Sequence, residues 1–104
     1  MLVIPIQPKP SQIIRTVLSG QNVQVIINYK DGNTFVDTNA NGVDVSLSVW
    51  AHENWPLVPV KYNGFLGQLY ILDTQGNDEP EYTQFGDRFI LVYLSDEELA
   101  NGVL

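Results

Sequence analysis

Four features of this sequence have residue types that could do chemistry: a calcium-like motif, a single histidine, a group of acids and a group of aromatic residues. Residues 37–42 read Asp-Thr-Asn-Ala-Asn-Gly and match the first half of the loop that presents alternate oxygen ligands to Ca²⁺. The twelfth position of that loop is Ser48, where a bidentate Glu would complete the site. Asn41-Gly42 is also a typical hairpin turn, so we favour a turn over a calcium site.

His52 is the only histidine, and the chain contains no cysteine. These counts exclude a disulfide, a zinc–thiolate site, a histidine cluster and a cysteine nucleophile. A lone histidine beside Glu53, at the end of a predicted strand, is typical of a partly exposed polar residue. We therefore predict that the protein is not an enzyme and binds no metal or cofactor.

Acidic residues crowd the segment from 73 to 87, namely Asp73, Asp78, Glu79, Glu81 and Asp87. Paired carboxylates hydrolyse glycosidic bonds only when a rigid cleft holds them a few ångströms apart, and a small sheet seldom encloses such a cleft. A solvated loop that contacts another protein is the favoured interpretation. We predict that the contact residues of this loop are Asp78, Glu79 and Glu81.

Aromatic side chains form the last chemical group: Trp50, Trp55, Tyr62, Phe65 and Tyr70. In a small β domain such residues are first of all core. Trp55 and Phe65, however, lie in segments with loop composition, where a large apolar group is costly unless another surface covers it. We predict that these two contact a partner, which leaves a stand-alone carbohydrate- or protein-binding β-sandwich as an alternative function.

Strands must position these groups, because apolar residues alternate with period two and turn residues separate the runs. The predicted strands span residues 12–19, 23–29, 43–51, 67–73 and 88–94, the last central and buried on both faces. Residues 34–37 and 55–62 are each predicted to be an edge strand or loop, and residues 74–87 a long loop. The fold class is therefore all-β, a small, mostly antiparallel sandwich or barrel of about six strands.

The same alternation predicts which side chains lie inside the fold. They are Val25, Ile27, Val45, Leu47, Val49, Leu69, Ile71, Leu91 and Tyr93. We treat residues 1–104 as one β domain, with residues 95–104 as a short C-terminal tail that begins at a helix-capping Ser95.

Residues 1–10 form an extended, proline-rich arm with prolines at positions 5, 8 and 10. Its apolar side chains are Leu2, Val3, Ile4 and Ile6. Proline cannot donate to an interior sheet ladder, so the arm should cover the edge of its own domain or lie along a neighbouring subunit. We favour the neighbour and predict that these four side chains are protein contacts.

Twelve acids against five bases give a formal net charge of −7. A surface of that sign repels nucleic-acid phosphates and anionic membranes, so we expect no direct nucleic-acid binding. No apolar run approaches the roughly 20 residues that span a bilayer, so we expect no membrane span.

In the order of its features the chain resembles the small plug proteins in the baseplates of contractile-tailed phages. The features are the arm Ile4-Pro5-Ile6-Gln7-Pro8, a strand ending at Trp50 and the segment Leu66-Gly67-Gln68-Leu69-Tyr70. The strongest is Phe85-Gly86-Asp87-Arg88-Phe89 leading to Leu91-Val92-Tyr93-Leu94. The likeness covers most of the chain.

The resemblance implies a structural virion protein of the tail baseplate, made in the host cytoplasm. It implies a place near the central hub, where the protein plugs or seats the end of the tail tube until contraction. Its partners would then be other baseplate proteins and hub or tube proteins, in a symmetric multi-copy assembly. No cofactor and no catalytic residue follow from it.

Overall fold

A computed structural model describes residues 1–52, 55–58, 65–76 and 78–102. The strands of this part are β1 (Leu2–Ile4), β2 (Ser11–Leu18), β3 (Gln21–Lys30), β4 (Asn33–Ala40), β5 (Val43–Trp50), β6 (Gln68–Asp73) and β7 (Phe89–Leu94). A 3-10 helix, Tyr82–Gln84, precedes β7, and the helix α1 (Asp96–Ala100) follows it. The strands form two antiparallel sheets, β2-β3-β4-β5 and β1-β7-β6. The all-β prediction is confirmed, and β7 is central as expected.

Three two-residue turns connect the four strands of the larger sheet in sequence order. The turns are Ser19-Gly20, Asp31-Gly32 and Asn41-Gly42, and both residues of each have positive φ. This backbone suits the right-handed twist of a hairpin and favours Asn, Asp and Gly. The prediction that Asn41-Gly42 forms a turn is confirmed.

The inner faces of both sheets share one hydrophobic core. Of the predicted core side chains, seven are buried: Val25, Ile27, Val45, Leu69, Ile71, Leu91 and Tyr93. Val49 is only half-buried. The prediction for Leu47 is wrong, because 61% of this residue is exposed.

Bulges in the edge strand β5 explain why Leu47 faces solvent. Val36 pairs with Val49 and Thr38 with Ser46, so two steps along β4 are matched by three along β5. Ser48 has a φ of 51°, and its N–H donates to Asp37 Oδ1 at 2.5 Å. One inserted residue reverses the alternation of side chains between faces, which the period-two pattern of the sequence does not reveal.

The strand β4 differs most from the prediction of a short edge strand or loop at residues 34–37. It is an eight-residue interior strand between β3 and β5. Its buried side chains are Thr34, Val36, Thr38 and Ala40. Three of these are small or hydroxylated, so the inward face has no clear apolar signal in the sequence.

The N-terminal arm covers the edge of its own sheet instead of leaving the domain. In β1, Ile4 pairs with Leu91 of β7, and Ile4 and Ile6 are 3% and 6% exposed. Their prediction as contacts to a neighbour is corrected, because both side chains belong to the chain's own core. Phe65 is corrected for the same reason, since it is 4% exposed.

The remaining predicted elements lie near the C-terminus and in the segment after β5. Ser95 caps α1, and its side chain and Glu98 form a reciprocal capping box. Residues 59–62 of the predicted edge strand or loop, including Tyr62, lie outside the described residues. In the described part of the chain, none of the helices is long and apolar enough to cross a membrane.

Candidate contact surfaces

Two exposed tryptophans flank the single histidine immediately after β5. The ring of His52 lies 4.2 Å from that of Trp50 and 5.8 Å from that of Trp55, measured between centroids. Trp50 is 47% exposed and Trp55 is 64% exposed. We call these three residues the tryptophan cluster. Large apolar surface that is held in solvent in this way is typical of a contact site.

Backbone hydrogen bonds fix the position of the tryptophan cluster. Trp50 ends β5 and pairs with Phe35 of β4. The N–H of Ala51 then donates to Thr34 O at 2.8 Å, and the N–H of Trp55 donates to His52 O at 3.2 Å. These two hydrogen bonds therefore tie the tryptophan cluster to the end of β5 and to the neighbouring strand β4.

Glu79 joins the acidic loop to the tryptophan cluster. Both carboxylate oxygens of Glu79 lie 3.0 Å from His52 Nδ1. The sequence predicted Trp55 and Glu79 as separate contact residues, and the structure brings them to one surface through His52. The surface thus combines aromatic faces with an exposed carboxylate.

Arg88 fixes the base of the acidic loop. Its Nε and Nη2 donate to Asp73 Oδ1 and Oδ2, each at 2.7 Å, and Nη2 also donates to Asp78 Oδ2 at 2.8 Å. The Asp73 side chain is fully buried, and its oxygens also accept the N–H groups of Gln75 and Asp78. Hydrogen bonding from Arg88 is the main cause that holds the pKa of Asp73 far below its usual range.

The rest of the acidic loop packs against the larger sheet. Pro80 is buried and accepts a hydrogen bond from Thr34 Oγ1 at 3.2 Å. Tyr82 meets Tyr29 edge to face, with ring centroids 4.8 Å apart. Glu81 stays exposed and accepts from Thr83 Oγ1 at 3.1 Å. The loop is therefore a docked part of the fold that presents Glu79 and Glu81 to solvent.

A second apolar patch lies at the N-terminus. Met1, Leu2 and Val3 are 56%, 50% and 50% exposed. The terminal amino group forms an ion pair with Glu98 of α1, which ties the start of the chain to the helix. Of the four predicted contacts in the arm, only Leu2 and Val3 are accessible to a partner.

The oxygens of the calcium-like motif serve the hairpin instead of converging on one point. Asp37 accepts from the Ser48 N–H, Asn39 Oδ1 from the Gly42 N–H and Asn41 Oδ1 from the Asn22 N–H. Within the described ranges, no group of three or more His, Cys, Asp or Glu side chains could hold a metal ion.

Sequence reasoning missed the role of His52 and of Arg88. The sequence predicts that His52 is a lone polar residue, although Trp50 and Trp55 on either side of it are a signal for stacking. Arg88 is one of only five bases in an acidic chain, and it follows the acidic loop directly. That charge balance was the available signal that it binds carboxylates of the loop.

Comparison with known proteins gives one decisive match. A family model described as the cyanophage baseplate plug, Pam3 gp18, matches residues 1–97. The chain belongs to this family. It is therefore a structural component of a phage tail baseplate and part of the virion. No curated protein matches the sequence.

Membership of the baseplate plug family agrees with the surfaces described above. A structural plug works through contacts with other baseplate components, and the chain presents exposed aromatic, apolar and acidic surface for them. The family also argues against an enzymatic role, which agrees with the sequence prediction.

Proposed function

We propose that the protein seats or plugs the end of the tail tube near the central hub of the baseplate. The observation that carries this proposal is the tryptophan cluster, whose two indoles are exposed while His52 and Glu79 fix the surface around them. The description of the family as a plug supports the same position.

The tryptophan cluster has the composition of an interface centre. Trp is enriched among the residues that dominate binding energy, and such residues are most effective when a partner removes them from water. Glu79 lies beside the cluster through its contact with His52 and supplies a charged rim. A hub or tube protein with an apolar pocket and a basic rim complements this surface.

The N-terminal patch supplies a second contact. Leu2 and Val3 are each half exposed on a strand that the chain's own sheet holds in place. Two separate surfaces let one copy touch two neighbours, which suits a symmetric multi-copy assembly. We propose that tail hub or tube proteins meet the tryptophan cluster and that Leu2 and Val3 meet another baseplate subunit.

A sugar-binding module is the alternative function, because exposed indole faces also stack on sugar rings. The two functions differ in where they act. A plug needs the tryptophan cluster in the assembled tail, whereas a sugar-binding module uses it as an isolated chain. Both can be measured with the same variants.

The proposal is tested by counting copies of the protein in purified tails by quantitative mass spectrometry. Trp55→Ala and Glu79→Gln should reduce the copy number, because each removes part of the contact surface without touching the core. Leu66→Ala is the matched control, since Leu66 is an exposed apolar residue outside the cluster. Full copy number with Trp55→Ala, together with glycan binding by the isolated chain that this change abolishes, would assign the cluster to sugar recognition.

A further inference from the structure

The strand β2 leaves one row of backbone groups without a strand beside it in the described part of the fold. β2 is the first strand of the order β2-β3-β4-β5 and pairs only with β3. Leu18 and Gln21 flank a two-residue turn, so their backbone N–H and C=O groups hydrogen-bond to each other. Every second residue of β2, counted back from Leu18, likewise directs its N–H and C=O toward β3. The hydrogen bond from Tyr29 N–H to Pro10 O at 2.6 Å continues this alternation one step beyond the start of β2. The groups that face outward therefore belong to Ser11, Ile13, Arg15 and Val17.

The other three sheet edges are protected. β5 carries two register shifts and a positive φ at Ser48, which disrupt its outer ladder. β1 is three residues long and is followed by Pro5. On β6, the Leu57 N–H donates to Leu69 O at 2.8 Å and Val58 bonds to the Gln68 side chain, so Leu57 and Val58 occupy the start of that edge.

By contrast, β2 lacks three of the features that protect a sheet edge, namely short length, proline and a bulge. It is eight residues long, contains no proline or glycine, and keeps one continuous register with β3. Natural proteins blunt such edges unless pairing is intended. Ile13 and Val17 are 53% and 63% exposed on the face of the sheet beside this edge, which gives a second strand apolar side chains to pack against.

Charge identifies the kind of segment that fits this edge. Residues 1–30 contain Lys9, Arg15 and Lys30 and no acid, whereas the whole chain has a net charge of −7. All three basic residues are exposed. Arg15 lies in the middle of β2, and Lys9 and Lys30 lie at its start, because the Tyr29 N–H bonds to Pro10 O. The edge is thus the basic part of an acidic protein.

We propose that the outer edge of β2 binds an extended, acidic segment of a different baseplate protein as a fifth strand of the larger sheet. Main-chain hydrogen bonds to Ser11, Ile13, Arg15 and Val17 hold the segment, and its carboxylates face the three basic residues. Pairing of β2 with β2 of a second copy would place like charges together, which opposes that arrangement. This surface lies at the opposite sheet edge from β5 and the tryptophan cluster, so it goes beyond the proposed function and does not depend on it.

Hydrogen–deuterium exchange in the free chain and in purified tails tests whether the edge is paired. The outward amides of Ser11, Ile13, Arg15 and Val17 should exchange rapidly in the free chain and at least about tenfold more slowly in tails. Equal exchange rates in the two samples would overturn the proposal. Slow exchange that appears in the free chain as its concentration rises would assign the edge to a second copy and also overturn it.

Carbodiimide cross-linking of intact tails tests the charge of the bound segment, because this reagent joins lysine amines to carboxylates. We expect Lys9 or Lys30 to cross-link to Asp or Glu of a different protein. Cross-links to acids of this chain alone would contradict the proposal.

Substitutions on β2, compared with matched controls, distinguish loss of pairing at the edge from loss of folding. Arg15→Gln should lower incorporation into tails, while Ala100→Glu, which changes the net charge by the same amount on α1, should not. Ile13→Pro removes one outward N–H and should lower incorporation more than Ile13→Thr, which keeps it. Equal incorporation of Arg15→Gln and Ala100→Glu would overturn the role of the basic residues even if the proline variant fails to fold.

Discussion

Arg88 lies between two carboxylates at the base of the acidic loop, one buried and one exposed. Asp73 is fully buried, whereas the side chain of Asp78 is 74% exposed. The bidentate geometry with Asp73 is that of a strong, charge-assisted pair, and removal of Arg88 leaves the buried carboxylate of Asp73 with only two backbone N–H donors. The pair therefore matters for keeping the loop, and with it Glu79, against the sheet.

Acid should release this pair. The hydrogen bonds from Arg88 lower the pKa of Asp73 in the folded state, so Asp73 stabilises the fold fully above its unfolded pKa of about 3.9. That contribution is lost as the pH falls from about 4 toward the lower folded value. Chemical unfolding followed between pH 7 and pH 2 should show this loss in the wild-type protein.

Asp73→Asn should be less stable than the wild type at pH 7 and should show a smaller further loss below about pH 4. Asp31→Asn is the control, because Asp31 lies in a hairpin turn with positive φ, a conformation that Asn also adopts readily. An acid transition of Asp73→Asn as steep as that of the wild type would show that other carboxyl groups cause it.

In β5 the alternating sequence predicts that Leu47 is buried, whereas the bulges of the strand leave it exposed. Leu47→Ala should change the free energy of unfolding by no more than about 0.5 kcal/mol, because Leu47 is exposed. Ile27→Ala in the regular strand β3 should cost roughly 2–5 kcal/mol, because Ile27 is fully buried. Equilibrium urea unfolding measures both, and similar losses for the two variants would contradict the bulged register.

The N-terminal arm also differs from its prediction, because it pairs with β7 of its own chain. Deletion of residues 1–8 removes Ile4 and Ile6 from the core and should destabilise the chain by roughly 3–6 kcal/mol, at about 1.5–3 kcal/mol for each side chain. The paired control is Leu2→Thr with Val3→Thr, which alters only half-exposed side chains and should be close to neutral. A truncated chain with an unchanged thermal midpoint would show that the arm is not part of the core.

The elements that sequence reasoning predicted correctly have strong local signals. Paired turn residues marked the hairpin at Asn41-Gly42, and the continuous apolar run marked β7 as central. β4 was missed because Thr34, Thr38 and Ala40 form its inward face without large apolar groups. The bulges near Ser48 and the pairing of β1 depend on contacts between distant residues, which periodicity does not encode.

The candidate site was predicted only in pieces. Trp55, Glu79 and Glu81 were expected to be contacts, and all three are exposed. The assembly of Trp55 and Glu79 into one surface depends on His52, which follows β5, and on the docking of the loop by Arg88. Phe65 was misplaced because its loop composition suggested exposure, whereas the fold covers it.

At the scale of the whole molecule, the chain is asymmetric in both charge and surface chemistry. Its first 30 residues carry only basic side-chain charges, whereas the acidic loop presents exposed carboxylates and the tryptophan cluster presents exposed indoles. A protein with distinct surfaces on different sides is suited to contact several neighbours at once. This asymmetry agrees with membership of a family of baseplate plugs.

Electron cryo-microscopy of intact tails tests the central claim most directly. The account predicts density for this protein at the end of the tail tube near the hub, with Trp50 and Trp55 buried against a neighbouring protein. Absence of the protein from the tube end, or a position there with both indoles facing solvent, would contradict the account.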